Sequence, residues 1–176
     1  MRKKQNNELN RISPEAYTSM KKTPVVVVAD NIRSLHNVGA LFRTCDAFGM
    51  EALFLCGITA VPPNKEIHKT ALGAEESVSW KFFPRLEDAI AELQADGYRV
   101  LAVEQTENAV MLDAFSVEPG KKYALIFGNE VKGVGQQGVD LCDGAIEIPQ
   151  IGTKHSLNVS VSAGVVLWEF FRQLNR

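Results

Sequence analysis

The chain predicts a single α/β domain with a mostly parallel sheet flanked by helices, and three observations carry that prediction. A continuous β-branched run, TPVVVVADN (residues 23–31), has the unbroken apolar character of a strand buried on both faces. It is followed by HNVGALFRTCDAFGM (36–50), whose Val38, Leu41, Phe42, Cys45, Phe48 and Met50 fall roughly at helical spacing. The apolar run EALFLCG (51–57) then completes a strand–helix–strand unit, right-handed in nearly all parallel sheets. The length of 176 residues, 45% hydrophobic and 23% charged, suits one domain with its own core.

The remaining elements follow in order. Residues 1–22 are polar and basic, with Pro14 as a breaker, and read as an arm with room for a short helix. Residues 58–80 are long, Pro- and Gly-containing and mixed in charge, which predicts a functional or mobile loop. A helix is expected over 84–97, with charges in its first turn and Gly97 as its stop. Strands are expected at YRVLAVEQ (98–105), KYALIFG (122–128) and AIEIP (145–149), the last preceded by the Gly-rich NEVKGVGQQGVD. SLNVSVSAGVVLWEFFRQL (156–174) reads as the closing helix. No repeat, low-complexity block or linker divides the chain, so the expected organisation is a basic arm (1–22) and one domain (23–176).

Composition narrows the function classes. No apolar run reaches the length of a membrane span and MRKKQNNELN has no apolar signal region, so a cytoplasmic protein without membrane attachment is expected. Cys45, Cys56 and Cys142 are odd in number, widely spaced and set in apolar stretches, which indicates packing rather than disulfides or zinc; no metal is expected. Net charge is −2 overall, but residues 1–43 carry +5 and residues 44–176 carry −7. A basic arm on an acidic domain reads equally as a phosphate-backbone contact or as a solvated tail. The arm's candidates for such a contact are Arg2, Lys3, Lys4, Arg11, Lys21 and Lys22, with Arg33 beyond it.

Open parallel sheets bind ligands beyond the carboxyl ends of their strands. Three segments leave strands there with unusual polar content: ADNIRSLHNVG leading to Arg43, FGNEVKG (127–133), and IPQIGTKHSLN (148–158). A helix that only packed on a sheet would need neither Arg43 nor Asn37 beside Gly39. Gly128 removes a side chain where the backbone must turn or meet a ligand closely, and Glu130 offers a carboxylate; a plain strand-to-loop turn would explain both. No P-loop occurs, and no G-x-G-x-x-G follows the first strand, which disfavours a generic nucleotide- or phosphate-binding protein. Ser156 or Asn158 suits a helix cap, which accounts for one of them but not both. His36, His68 and His155 form no nucleophilic or metal pattern by spacing, and Trp80 and Trp168 read as core or interface aromatics.

Taken together, NIRSLHNVGALFRTCDAFG, ALIFGNEVKGV and IEIPQIGTKHSLNVSVSAGVVLWE resemble, in this order and separation, the three motifs of the SpoU (TrmH) family of RNA 2′-O-ribose methyltransferases in the SPOUT superfamily. The resemblance covers about residues 23–174. It implies an α/β fold whose C-terminal part forms a deep trefoil knot that binds S-adenosylmethionine, a homodimer with its active site at the subunit interface, and tRNA or rRNA as substrate. By the motifs, the catalytic set corresponds to Arg43, Asn37, Glu130, Ser156 and Asn158. The same alignment puts backbone contacts to the cofactor around Gly128, Ile148 and Leu157. Many members carry a separate N-terminal RNA-binding domain; here only the short basic arm precedes the match.

Methyl transfer from a sulfonium is an in-line displacement in which the ribose hydroxyl is the weak partner. Family proposals make the arginine its base. Neutralising a guanidinium at pH 7 costs roughly 7 kcal/mol, which favours Arg43 as a clamp on the adjacent phosphate and the developing oxyanion. Asn37, Glu130, Ser156 and Asn158 would then orient Arg43 and the ribose. The alternative is a catalytically silent RNA-binding protein on the same fold, disfavoured by the presence of Arg43, Glu130 and Asn158 together.

Overall fold

The computed structural model describes residues 1–5, 8, 12–154 and 156–175. Helix α1 (Pro14–Ser19) leads into β1 (Thr23–Asp30), α2 (Leu35–Ala47) and β2 (Met50–Cys56). Next come α3 (Lys65–Ala71), α4 (Ala74–Ser77), β3 (Trp80–Phe83), α5 (Leu86–Ala95) and β4 (Tyr98–Val103). The chain closes with β5 (Val110–Met111), β6 (Lys122–Phe127), α6 (Gln136–Leu141), β7 (Gly144–Glu147) and α7 (Val159–Leu174). The strands form one sheet in the order β3-β2-β1-β6-β4-β7-β5, and neighbouring strands pair in parallel throughout.

The valine run occupies the centre of the sheet, where Val27 stands opposite Leu53 of β2 and Leu125 of β6. Alternation along β1 sends Val25, Val27 and Ala29 to one face, into a cluster with Leu41 and Phe42 of α2 and Val166 and Phe170 of α7. Val26 and Val28 face the other way, onto Ala89, Ile90 and Leu93 of α5. Two covered faces explain why the strand shows no polar alternation, each buried side chain contributing about 1.5–3 kcal/mol. Gly39 serves packing: a Cβ there would stand 2.3 Å from the Ile67 carbonyl of α3, so only glycine allows α2 and α3 to cross this closely.

The stretch expected as a loop over 58–80 instead holds α3 and α4 and delivers β3. Asn64 caps α3 by accepting from the amides of Glu66 and Ile67 at 2.9 and 3.4 Å. These helices bury only Ile67 and Ala71, and Ala74, too few apolar residues to show a period. The closing helix begins at Val159 rather than 156. Trp80 and Trp168 are not core residues; they are 38% and 51% exposed.

Two features prepare the site. Val103 of β4 and Val110 of β5 both lie opposite Ile146, on either side of β7, so residues 104–109 cross its carboxyl end. At the other end of the chain, Tyr17 of α1 is seated in the core and its hydroxyl donates to the Cys45 carbonyl at 3.4 Å, anchoring the arm from that residue onward. Among the described residues, no helix is long and apolar enough to cross a membrane.

Candidate active site

Where β1 ends, Asn31 takes a left-handed backbone (φ 53°), uncommon outside glycine but tolerated by asparagine. It is held on every side. Its amide donates to the Cys56 carbonyl at 3.1 Å, its Oδ1 accepts from Ile58 N at 3.2 Å, and its Nδ2 donates to Asp30 at 2.7 Å. Its carbonyl accepts from Asn129 Nδ2 at 2.8 Å, which ties the exit of β1 to the exit of β6. Asn129 closes its own loop through paired backbone bonds with Gly133 and by accepting from Val131 N and Lys132 N. A Cβ on Gly128 would lie 2.1 Å from the Gly133 carbonyl carbon and Val134 N, so the close approach is to the returning loop itself.

The folded loop presents Glu130 to the start of α2. Its carboxylate accepts from Arg33 N, Ser34 N and Asn37 Nδ2, each at 3.0 Å. Partial burial works to raise the Glu130 pKa, but those donors outweigh it and hold the carboxyl below its ordinary range. Asn37 Oδ1 in turn accepts from Asn158 Nδ2 at 3.3 Å. Asn158 caps α7, its Oδ1 accepting from Ser160 N at 2.9 Å and Ser160 Oγ at 2.6 Å. One hydrogen-bonded chain therefore joins the three polar segments. The capping role belongs to Asn158, leaving Ser156 free of it.

Beside this chain opens a cavity of about 520 Å³ at the carboxyl ends of β4, β6 and β7. Gly128, Glu130, Ile148, Ser156, Leu157 and Asn158 all line it. So do Glu104 and Glu147, neither of which is among the expected site residues. Glu104 lies outside the three motifs and Glu147 inside the third, and their only sequence signal is an acidic residue at the carboxyl end of a strand.

Arg43 lies elsewhere. It lines a separate depression with Phe48, Lys69, Thr70 and Gly164, and it makes no hydrogen bond or ion pair with any described residue. Six positions along α2 from Asn37, it sits about 9 Å further up the axis and on another side of the helix. Of the expected RNA contacts, Lys3, Lys4, Lys21 and Arg33 are exposed, while Arg2 pairs with Glu8 at 2.6 Å. Lys22 Nζ is engaged by the Tyr17 carbonyl at 2.5 Å and sits 3.0 Å from the centre of the Tyr17 ring. Arg11 and His155 lie outside the described residues. His36 pairs with Glu66. His68 pairs with Glu75, near Glu76, an arrangement explained by an ordinary surface ion pair.

The SpoU rRNA Methylase family model matches residues 24–168. The chain belongs to this family. It is 34% identical over 170 residues to a tRNA (guanosine(18)-2′-O)-methyltransferase of Thermus thermophilus, covering 97% of this chain and 86% of that one. Its fold superposes on the TrmH/SpoU tRNA modifying enzyme of Aquifex aeolicus with TM-score 0.78 and 30% identity, covering 91% of this chain and 79% of the other. It also superposes on the AdoMet-bound rRNA methyltransferase of Sinorhizobium meliloti with TM-score 0.80 and 26% identity, covering 93% and 62%. All three polar segments joined by the hydrogen-bonded chain fall within the stretch matched by the SpoU family model.

Proposed function

We propose that this chain transfers a methyl group from S-adenosylmethionine to a ribose 2′-hydroxyl of RNA, with tRNA favoured over rRNA. The observation that carries the reading is the cavity at the strand ends, closed on one side by the Glu130–Asn37–Asn158 chain, in a member of a methylase family. The Thermus relative's name and its coverage of most of both chains favour tRNA.

The site fits the cofactor. Its volume lies within the roughly 300–1,000 Å³ of small-molecule sites. Val103, Ile146 and Ile148 give an apolar wall for a flat ring, and three glutamates against one lysine among its lining residues suit a cation. The backbone around Gly128, Ile148 and Leu157 would hold it. When bound, S-adenosylmethionine supplies a methyl group on a positively charged sulfur.

The chain's own residues then act on the RNA. Asn37, Glu130, Ser156 and Asn158 hold the ribose side of the site in place, and Arg43 clamps the adjacent phosphate and stabilises the developing oxyanion. Arg43 stands apart from the cavity within one copy, which supports a homodimer whose interface brings it to the site. Val161, Val165 and Trp168, at helical spacing along α7, are exposed next to Gly164 of the Arg43 depression. A contiguous apolar stripe of this kind is the surface a second copy would cover. Residues 104–109 cross the carboxyl end of β7, and passage of the following chain beneath them would make the trefoil knot that the resemblance implies. A soluble cytoplasmic enzyme, with Lys3, Lys4, Lys21 and Arg33 meeting the RNA backbone, completes the reading.

The test is incorporation of labelled methyl from S-adenosylmethionine into bulk RNA, followed by nucleoside analysis. A 2′-O-methylated nucleoside made by the wild type and absent with Arg43→Ala is the expected result. S-adenosylmethionine binding without incorporation into any RNA would favour the silent RNA-binding reading.

A further inference from the structure

Glu104 is the acidic group of the cavity that neither the motifs nor the mechanism uses. It follows β4 directly, at the start of the 104–109 segment that crosses β7. Its carboxylate is oriented by two backbone donors: Gln105 N reaches Oε1 and Val134 N reaches Oε2, each at 2.9 Å. The facing loop is shaped around it. A Cβ on Gly133 would stand 2.0 Å from Glu104 Oε2, and Gly133 has φ +65°, so glycine both allows the turn and leaves room for the carboxylate. Two loops from different strands thus converge on one half-buried carboxylate in the cavity wall.

We propose that Glu104 is a cofactor-binding residue that receives the vicinal hydroxyls of the cofactor's ribose, an inference that rests on the S-adenosylmethionine reading above. A carboxylate has about four acceptor positions, and the two amides occupy one on each oxygen. The remaining pair, one per oxygen, matches two neighbouring O–H donors. Because Glu104 stands between Gly128, just after β6, and Ile146 on β7, its hydroxyl partners lie at the middle of the cavity. That placement leaves the two ends for the base and the amino-acid tail. The fixed amides also make the site specific, since they prevent the carboxylate from turning to another donor.

Calorimetric binding of S-adenosylhomocysteine and of its 2′,3′-dideoxyribose analogue, to wild type and to Glu104→Ala, tests the assignment. The wild type should bind the analogue roughly 10- to 100-fold more weakly, the usual range for losing hydrogen bonds to a charged group. In Glu104→Ala both ligands should bind weakly and alike, because the partner of the missing hydroxyls is already gone. A wild type indifferent to the hydroxyls overturns the proposal. So does a Glu104→Ala that keeps the full analogue penalty, which would make Glu104 only a loop anchor. Thermal melting of the variant confirms that it is folded, and the wild-type comparison stands even if it is not. A wild type that binds neither S-adenosylmethionine nor S-adenosylhomocysteine would instead overturn the function proposed for the whole site.

Discussion

The cavity mouth and the outer face of α2 and α7 are both open to solvent, yet they differ in how far one copy completes them. At the mouth, Glu130, Asn37, Asn158 and Ser160 satisfy one another, and Asn31 and Asn129 pin the loops that carry them. On the outer face, Arg43 has no partner among the described residues, and Val161, Val165 and Trp168 are 40–51% exposed. Packing there stops at the aromatic group of Phe48, Trp168 and Phe171. Preorganised polar groups suit a site that must bind without rearranging, whereas a bare cation beside bare apolar surface suits a site finished by a partner. The lesson is that one copy completes the polar mouth of its cavity and leaves the cation-bearing outer face unfinished.

The strongest way to break that comparison is through Arg43. Arg43→Ala should lower turnover by at least 10²–10³, about the effect of removing one electrostatic stabiliser, while cofactor affinity stays within a few fold. Mixing Arg43→Ala with Asn37→Ala, each nearly inactive alone, should restore roughly a quarter of wild-type activity, because half the dimers then hold one intact site. No recovery on mixing would place Arg43 and the cavity in the same copy.

The outer face can be tested by assembly. Val165→Asp with Trp168→Asp places charge on the apolar stripe and should give a monomer by sedimentation, inactive in methyl transfer but still binding cofactor. A dimer that persists would move the interface to another surface. A smaller change is expected at the mouth. Glu130→Gln loses part of a charged hydrogen-bond set at a partly exposed position, worth about 1 kcal/mol or 2–4 °C of melting temperature for a chain of this size. Since the folded-state pKa of Glu130 is depressed, its contribution is fully present above the ordinary glutamate value of 4.5 and is lost as pH falls through the lower folded value. The difference between wild type and Glu130→Gln should therefore shrink on acidification, and a constant difference would show that the carboxylate's charge plays no part.

How much of this was legible in the sequence depends on range. The valine run announced a central strand because burial on both faces removes alternation, and α2 and α7 carried enough apolar residues to show a period. Helices α3 and α4 did not, since a buried pair or a single alanine leaves no pattern. The residues around the cavity mouth were legible as types in motifs, but their hydrogen-bond partners were not. Glu130 reads as a ligand-facing acid and is in fact bonded to the start of α2. The separation of Arg43 from Asn37 was there to be read: a spacing of six turns a side chain to a different side of a helix. Glu104 left no mark because its role depends on Gly133 and Val134, brought to it only by β6 lying beside β4.

The arm offers the finest distinction, between cations that face solvent and one that is spent on the fold. Lys22 is bonded to the Tyr17 carbonyl and lies over the Tyr17 ring, and Tyr17 is a core residue. Burial lowers the Lys22 pKa although Asp46 opposes it, as expected of an ammonium held against the domain rather than offered to a phosphate. Lys22→Ala should cost about 0.5–1 kcal/mol of stability and leave the salt dependence of RNA binding unchanged. Replacing Lys3 and Lys4 by alanine should do the reverse: melting stays as it is, and the slope of log affinity against log salt falls by about 0.7–0.9 for each phosphate left without its cation. If the slope responds to Lys22 and not to Lys3 and Lys4, the RNA path runs along α1 and the start of β1, and Tyr17 must give up its cation when RNA binds.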